Sequence, residues 1–502
     1  MKYTDIPKEA LLKIKTLGEL KAVGYQPKSI KQELRDNLIE SLKNKENVFA
    51  GIHGYEDTVI PDLERAILSM HNINLLGLRG QAKTRLARLM IYLLDEYIPV
   101  VKGSELNDDP LQPLSRYAKD LIAEHGDDTP IAWMHQEERY TEKLATPDVT
   151  IADLIGDADP IKAATLKLPY SDERVIHYGL IPRSHRCLFV INELPDLQAR
   201  IQVALFNILQ EGDIQIRGFK IRLLLDIQFV FTANPEDYTN RGSIVTPLKD
   251  RIDSQILTHY PKDIQIGKKI TQQEAYIKPQ QENIYSPDLA KDLIEQIAVE
   301  ARKSEFVDAK SGVSARLTIS AYENLLSAAE RRMLINAESK TSIRVGDFWG
   351  VVPSIAGKVE LVYEGEQEGA AIVAQNLLGK AIRTLFLSYF PDPEKEKKKP
   401  ANIYKKVTDW FGDGEQVDMM NEASNQEYKN ILYTIPGLSE LVKAKVPNLS
   451  ENDQVFMMEF ALHGLAEYSM LSKKFLERGL QFKDLLGGMF TMPKFDEEED
   501  DE

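Results

Sequence analysis

The sequence predicts an α/β fold with a buried parallel sheet, and three observations carry that prediction. First, short apolar runs end in polar residues: Cys187–Ile191 runs into Asn192-Glu193, and Phe229–Ala233 runs into Asn234. Runs of this kind mark strands buried on both faces, with chemistry at their C-terminal ends. Second, amphipathic segments separate them. One is LQARIQVALFNILQEG, with Ile201, Ala204, Leu205, Ile208 and Leu209 at helical spacing and Gly212 as a stop. Third, the apolar run Asn74-Leu75-Leu76 leads into a glycine-bearing turn and then an opening helix, Arg85-Leu86-Ala87-Arg88-Leu89-Met90.

That turn reads Gly77-Leu78-Arg79-Gly80-Gln81-Ala82-Lys83-Thr84. Strand, glycine loop and helix in this order form the context of a phosphate-binding P-loop. Backbone N–H groups of such a loop cradle phosphate oxygens. Lys83 is placed to reach the outer phosphates and the Thr84 hydroxyl to hold Mg²⁺. The usual glycine before the lysine is Ala82, acceptable at negative φ because only positive φ demands glycine. Upstream, Gly51, Ile52 and Tyr55 are candidates to pack on an adenine.

About 110 residues after Lys83, Asn192-Glu193 occupies the place of the second acidic motif of a P-loop ATPase. There an Asp helps hold the Mg²⁺ shell and the following Glu activates the attacking water. Asn192 keeps an acceptor oxygen but lacks the charge. Alone, Glu193 would read as a strand-end polar residue; paired with the loop it reads as the base. Residues 213–222 alternate around Arg217-Gly218 as a hairpin. Asn234 can hydrogen-bond a water or the γ-phosphate. Arg251, in TPLKDRID, is placed as an arginine finger on a neighbouring subunit's ATP, with a surface ion pair to Asp250 or Asp253 as the bland alternative. Arg316, near the start of a helix at TISAYENLLSAAERRML, is a second-sensor candidate.

Composition narrows the class. The 502 residues carry a formal net charge of −16, which argues against nonspecific nucleic-acid binding by a broad basic surface. The single cysteine, Cys187, excludes a disulfide framework. No run of about 18 apolar residues predicts a membrane span, and no apolar leader is seen at the N-terminus. A cytoplasmic location is the expectation. The expected plan is a helical extension over 1–45 and an α/β core over 46–262. A helical lid with connecting helices over 263–390 follows, then a Pro- and Lys-rich linker over 391–400. A helical domain over 401–492 and a disordered acidic tail over 493–502 complete it. Residues 131–145 read as an insertion of strands and loops.

Taken together, GLRGQAKT, FVINE, the hairpin, TANP, TPLKDRID and GVSAR stand in the order of an AAA+ ATPase. The segment PDVTIADLIGDADP…YGLIPRSHRCLFVINELPDL resembles the helix-2 insert of the magnesium-chelatase ATPase subunit and of MoxR-type ATPases. The resemblance covers residues 45–335 and rests on ordered motifs, each modest by itself. It implies a P-loop AAA+ core with a pre-sensor-1 hairpin, followed by an α-helical lid and a C-terminal helical region. It implies ATP and Mg²⁺ as ligands, with residues 77–85 and Asn192 on the nucleotide and Thr84 and Asn192 near the metal. Glu193, Asn234 (sensor 1), Arg251 (finger) and Arg316 (sensor 2) take the catalytic roles. It implies a homo-oligomeric ring, a hexamer, that remodels a protein client beside a von Willebrand factor A-domain partner. Two alternatives stand: a σ54-type activator ATPase, which should carry a GAFTGA loop that this chain lacks, and a slow or inactive nucleotide-binding scaffold marked by Asn192.

Overall fold

A computed structural model describes residues 6–169, 172–214, 216, 219, 222–235 and 244–485. The chain divides into two compact units, 1–260 and 261–502.

In the first unit the strands are β1 (Ile73–Leu76), β2 (Tyr97–Val101), β3 (Ile131–His135), β4 (Tyr140–Leu144), β5 (Gly156–Ala158) and β6 (Ile176–Tyr178). They continue as β7 (Cys187–Asn192), β8 (Asp213–Ile214), β9 (Leu223–Leu224), β10 (Ile227–Ala233) and β11 (Ser254–Leu257). Five of them form one parallel sheet in the order β11-β1-β10-β7-β4. Every residue of β1, β7 and β10 is buried, as near-continuous apolar runs require when both faces are covered. The side chains alternate between two cores. Leu188, Val190 and Val230 join one cluster with Leu63 and Leu86. Phe189, Ile191, Phe229 and Phe231 join the other with Ile201, Leu205 and Ile208 of the helix Ala199–Glu211. The predicted parallel α/β fold is therefore present.

Several boundaries differ from the sequence reading. Residues 6–45 carry three helices, α1 (Lys8–Leu11), α2 (Leu17–Ala22) and α3 (Ile30–Asn44). They are not an appended arm, because Ile30, Leu34 and Leu38 of α3 lie in the same core as β1. Glu33 of α3 accepts two bonds from the Arg139 guanidinium, at 2.6 and 2.7 Å, and one from the Asp95 N–H. Both charged side chains are almost wholly buried. Segment 131–145 is not simply an insertion. β3 pairs antiparallel with β2, but β4 is the edge strand of the main sheet. The hairpin pairs Asp213 with Leu224 and Ile214 with Leu223, so its second strand begins after Arg222. The expected turn at Arg217-Gly218 lies outside the described residues.

The second unit is built around one hydrophobic core that runs from Ile284 to Phe482. The helices Asp288–Lys303, Arg316–Ile335, Ala370–Tyr389 and Glu451–Glu467 supply most of it. The linker expected at 391–400 is corrected by this core: Pro393 and Glu396 are buried, and the buried Tyr404 donates its hydroxyl to the Pro391 carbonyl. The 401–492 region is not purely helical either. Val417–Met420, Gly479–Lys483 and Ser472–Leu476 form a three-stranded antiparallel sheet. Ala370–Tyr389 is long and apolar enough for a membrane span by length and composition. Its Val373, Leu377, Ala381 and Phe386 are core residues of this unit. The acidic end, 493–502, lies outside the described residues.

Candidate functional site

Because the five strands are parallel, their C-terminal ends share one edge. Gly77 follows β1, Glu193 follows β7, Asn234 follows β10 and Thr258 follows β11. The sequence-predicted residues of the first unit that follow β1, β7 and β10 thus meet at the edge where open α/β sheets bind ligands.

The loop from Gly77 to Ala82 is shaped by its neighbours. A Cβ on Gly77 would collide with the Thr258 hydroxyl and the Gln81 side chain. Thr258 Oγ1 donates to Gln81 Oε1 at 2.7 Å, tying the loop to β11. The Tyr260 hydroxyl donates to the Arg79 carbonyl at 3.0 Å. Tyr55 does not lie open for an adenine. Its buried phenol bonds the Gln81 carbonyl at 3.0 Å and the His259 carbonyl at 2.7 Å. Burial pushes that phenol up to about 12, so it remains an O–H donor. Ile52 is likewise a core residue beside it. Lys83, largely buried, directs its ammonium to the Gly77 and Leu78 carbonyls.

Ala82 corrects the steric expectation, since its φ is +55° and its ψ 20°. It closes the loop in the left-handed region, which costs a residue with a Cβ roughly 1–2 kcal/mol. Gly80 reaches φ +74° without that cost. Ala82→Gly is therefore expected to stabilise the first unit by about 0.5–1 kcal/mol after glycine's greater freedom in the unfolded chain is subtracted. A urea melt checks it; a lower midpoint for the variant would mean the αL conformation carries no strain here.

Asn192 is a node. Its Oδ1 accepts from the Thr84 hydroxyl at 3.2 Å and from the Thr232 hydroxyl at 3.1 Å. Its Nδ2 donates to Glu142 Oε1 at 2.5 Å. This orientation of the amide is the only one that satisfies both sides, because a flipped amide would set Oδ1 against a carboxylate. Glu193 follows in the left-handed region at φ +53°, with its N–H donating to Thr232 Oγ1 at 3.1 Å. Strained backbone of this kind concentrates at functional sites.

Glu142 was not foreseen. It lies on β4 and bonds Asn192, while its second oxygen accepts from Arg88 Nη2 and the Tyr140 hydroxyl, each at 2.9 Å. Thr84 and Arg88 are four apart on α5, where α4 is Val59–Leu68 and α5 is Lys83–Leu89, so they share one face of the helix, from which Thr84 reaches Asn192 on β7 and Arg88 reaches Glu142 on β4. Burial, then the bond to Glu142, holds the Tyr140 phenol above its ordinary value. The sequence predicts strands and loops in this segment, but the polar run Thr141-Glu142-Lys143 carries no alternation that would single out Glu142.

Arg251 pairs with neither Asp250 nor Asp253. It donates to Gln210 Oε1 at 3.1 Å and to the Pro247 carbonyl at 2.7 Å, and sits 5.0 Å from the Phe206 ring centre. Asp253 accepts instead from the Asn72 N–H. Arg316 belongs to the second unit, exposed in the first turn of Arg316–Ile335. Among the described residues no group of three His, Cys, Asp or Glu side chains could hold a metal by itself. The Thr84 hydroxyl and the Asn192 amide oxygen are hard oxygen donors, a pair that fits Mg²⁺ when phosphate oxygens complete the shell.

No protein-family profile matches the chain. Among solved structures it is similar to NtrX from Brucella abortus, at 13% identity and TM-score 0.33, over 58% of this chain and 54% of that one. It is also similar to a putative ATPase from Cytophaga hutchinsonii, at 16% identity and TM-score 0.28, over 72% and 97% of the two chains. A reconstruction of the complex between subunits BchI and BchD of magnesium chelatase aligns at 17% identity and TM-score 0.33, over 64% and 98%. The chain spans about half the length of the NtrX protein it matches. These likenesses are distant. Fold and loop define an α/β core with a glycine-bearing strand–loop–helix turn at the C-terminal edge of its parallel sheet.

Proposed function

We propose that the chain is an ATP-binding and ATP-hydrolysing motor of AAA+ type. One observation carries the reading: Lys83, Thr84, Asn192, Glu193 and Asn234 converge on one edge of a parallel sheet, around a loop whose Gly77 is packed against the Thr258 hydroxyl and the Gln81 side chain. Gly77 to Arg85 hold the phosphates, and Lys83 exchanges the loop carbonyls for phosphate oxygens. Glu193 takes the proton of the attacking water, and Asn234 orients that water or the γ-phosphate. Thr84 and Asn192 hold Mg²⁺, which when bound neutralises charge on the phosphates.

Assembly into a ring belongs to the same reading. Arg251 lies on the surface of the first unit and serves as the finger for a neighbouring copy, and Arg316 serves as the second sensor. A hexamer acting on a protein client, with a von Willebrand factor A-domain partner, is the assembly the motif order suggests. The test is ATP hydrolysis by the full chain and by Lys83→Ala. Loss of hydrolysis in the variant is expected; equal rates would count against the site.

A further inference from the structure

We infer that the carboxylate missing at Asn192 has been moved to the neighbouring strand, where Glu142 acts through the Asn192 amide as a positioning residue for the divalent cation. The inference rests on the nucleotide-site reading above. Three observations support it. Glu142 Oε1 and the Asn192 amide are joined at 2.5 Å, and the same amide presents its oxygen to Thr84 at 3.2 Å. The carboxylate therefore fixes which end of the amide faces the metal side and places a negative charge one amide behind it. Thr232 adds a second donor to the same Oδ1, so the amide cannot rotate without breaking three bonds. The residue pairs Leu144 with Asn192 and Glu142 with Val190 put both polar side chains on one face of the sheet, the face that packs α5. Carboxylates behind a metal ligand commonly set its affinity, and their loss typically costs about 10–100-fold.

The competing role is a structural ion pair with Arg88. That guanidinium is 62% exposed and Glu142 28%, so such a pair contributes little to stability. The two roles separate by substitution. Asn192→Asp alone would set two carboxylates within hydrogen-bond distance of one another, a like-charge contact that disfavours ionisation of both. Restoring the usual acid at position 192 should thus help only when Glu142 is neutralised at the same time.

The experiment measures Mn²⁺ affinity of the full-length protein saturated with ADP, by the electron paramagnetic resonance signal of free Mn²⁺, and ADP affinity without metal. Glu142→Gln is expected to weaken Mn²⁺ about tenfold and leave metal-free ADP affinity unchanged. Arg88→Ala keeps the carboxylate and is expected to leave Mn²⁺ affinity undiminished, whereas a structural ion pair would suffer equally from either change. Asn192→Asp is expected to give no tightening alone, and Glu142→Gln with Asn192→Asp to recover wild-type Mn²⁺ affinity. Unchanged Mn²⁺ affinity in Glu142→Gln, or full tightening by Asn192→Asp alone, overturns the inference while leaving the nucleotide site standing. Absence of ADP binding by the wild type, with or without metal, overturns the site reading itself.

Discussion

Glu193→Gln is expected to slow ATP hydrolysis by about 10²–10⁴-fold while nucleotide binding persists. The amide keeps the shape of the side chain and removes its basicity, so only proton transfer is lost. The backbone that presents this residue is built for the position: β7 ends at Asn192, the chain turns left-handed at φ +53°, and Thr232 pins the Glu193 N–H at 3.1 Å. Single-turnover hydrolysis alongside a nucleotide titration separates the two effects. A rate equal to wild type would place water activation on another group.

The second large effect is on stability. Arg139→Ala is expected to destabilise the first unit by about 3–5 kcal/mol, because it strands the buried Glu33 charge. The pair is shielded from water and further bonded: Arg139 also donates to the Arg186 carbonyl at 3.0 Å, and Glu33 also accepts from the Asp95 N–H. Replacing both partners with apolar residues of similar volume should cost far less than removing either alone, since no orphaned charge remains. Chemical denaturation of the three proteins checks this ordering. Equal losses in the single and double variants would contradict it.

What could be read from the sequence, and what could not, divides along the range of the interactions involved. β7 and β10 were legible because burial on both faces writes a continuous apolar run into a few consecutive residues. The loop at 77–84 was legible because Gly80, at φ +74°, and Lys83, bonded to the Gly77 and Leu78 carbonyls, serve needs local to the loop. Glu142 was not, because its meaning comes from a partner 50 residues away on the adjacent strand. Glu33 was hidden for the same reason: a charged residue on a charged helix reads as solvated until Arg139 is placed against it. At 391–400 composition misled, since PDPEKEKKKP reads as a tether while Pro393 and Glu396 are buried. At Ala82 the sequence expectation turns on the sign of φ, which residue identity does not reveal, and the backbone makes it positive.

Binding of ATP phosphates by residues 77–85 is tested by equilibrium titration of the full chain with ATP in the presence and absence of Mg²⁺. Saturable binding is expected that tightens with Mg²⁺ and is lost in Lys83→Ala, because the Lys83 ammonium is the loop's own cationic contact to its carbonyls. Binding of equal strength by wild type and Lys83→Ala, or none by the wild type, would contradict it.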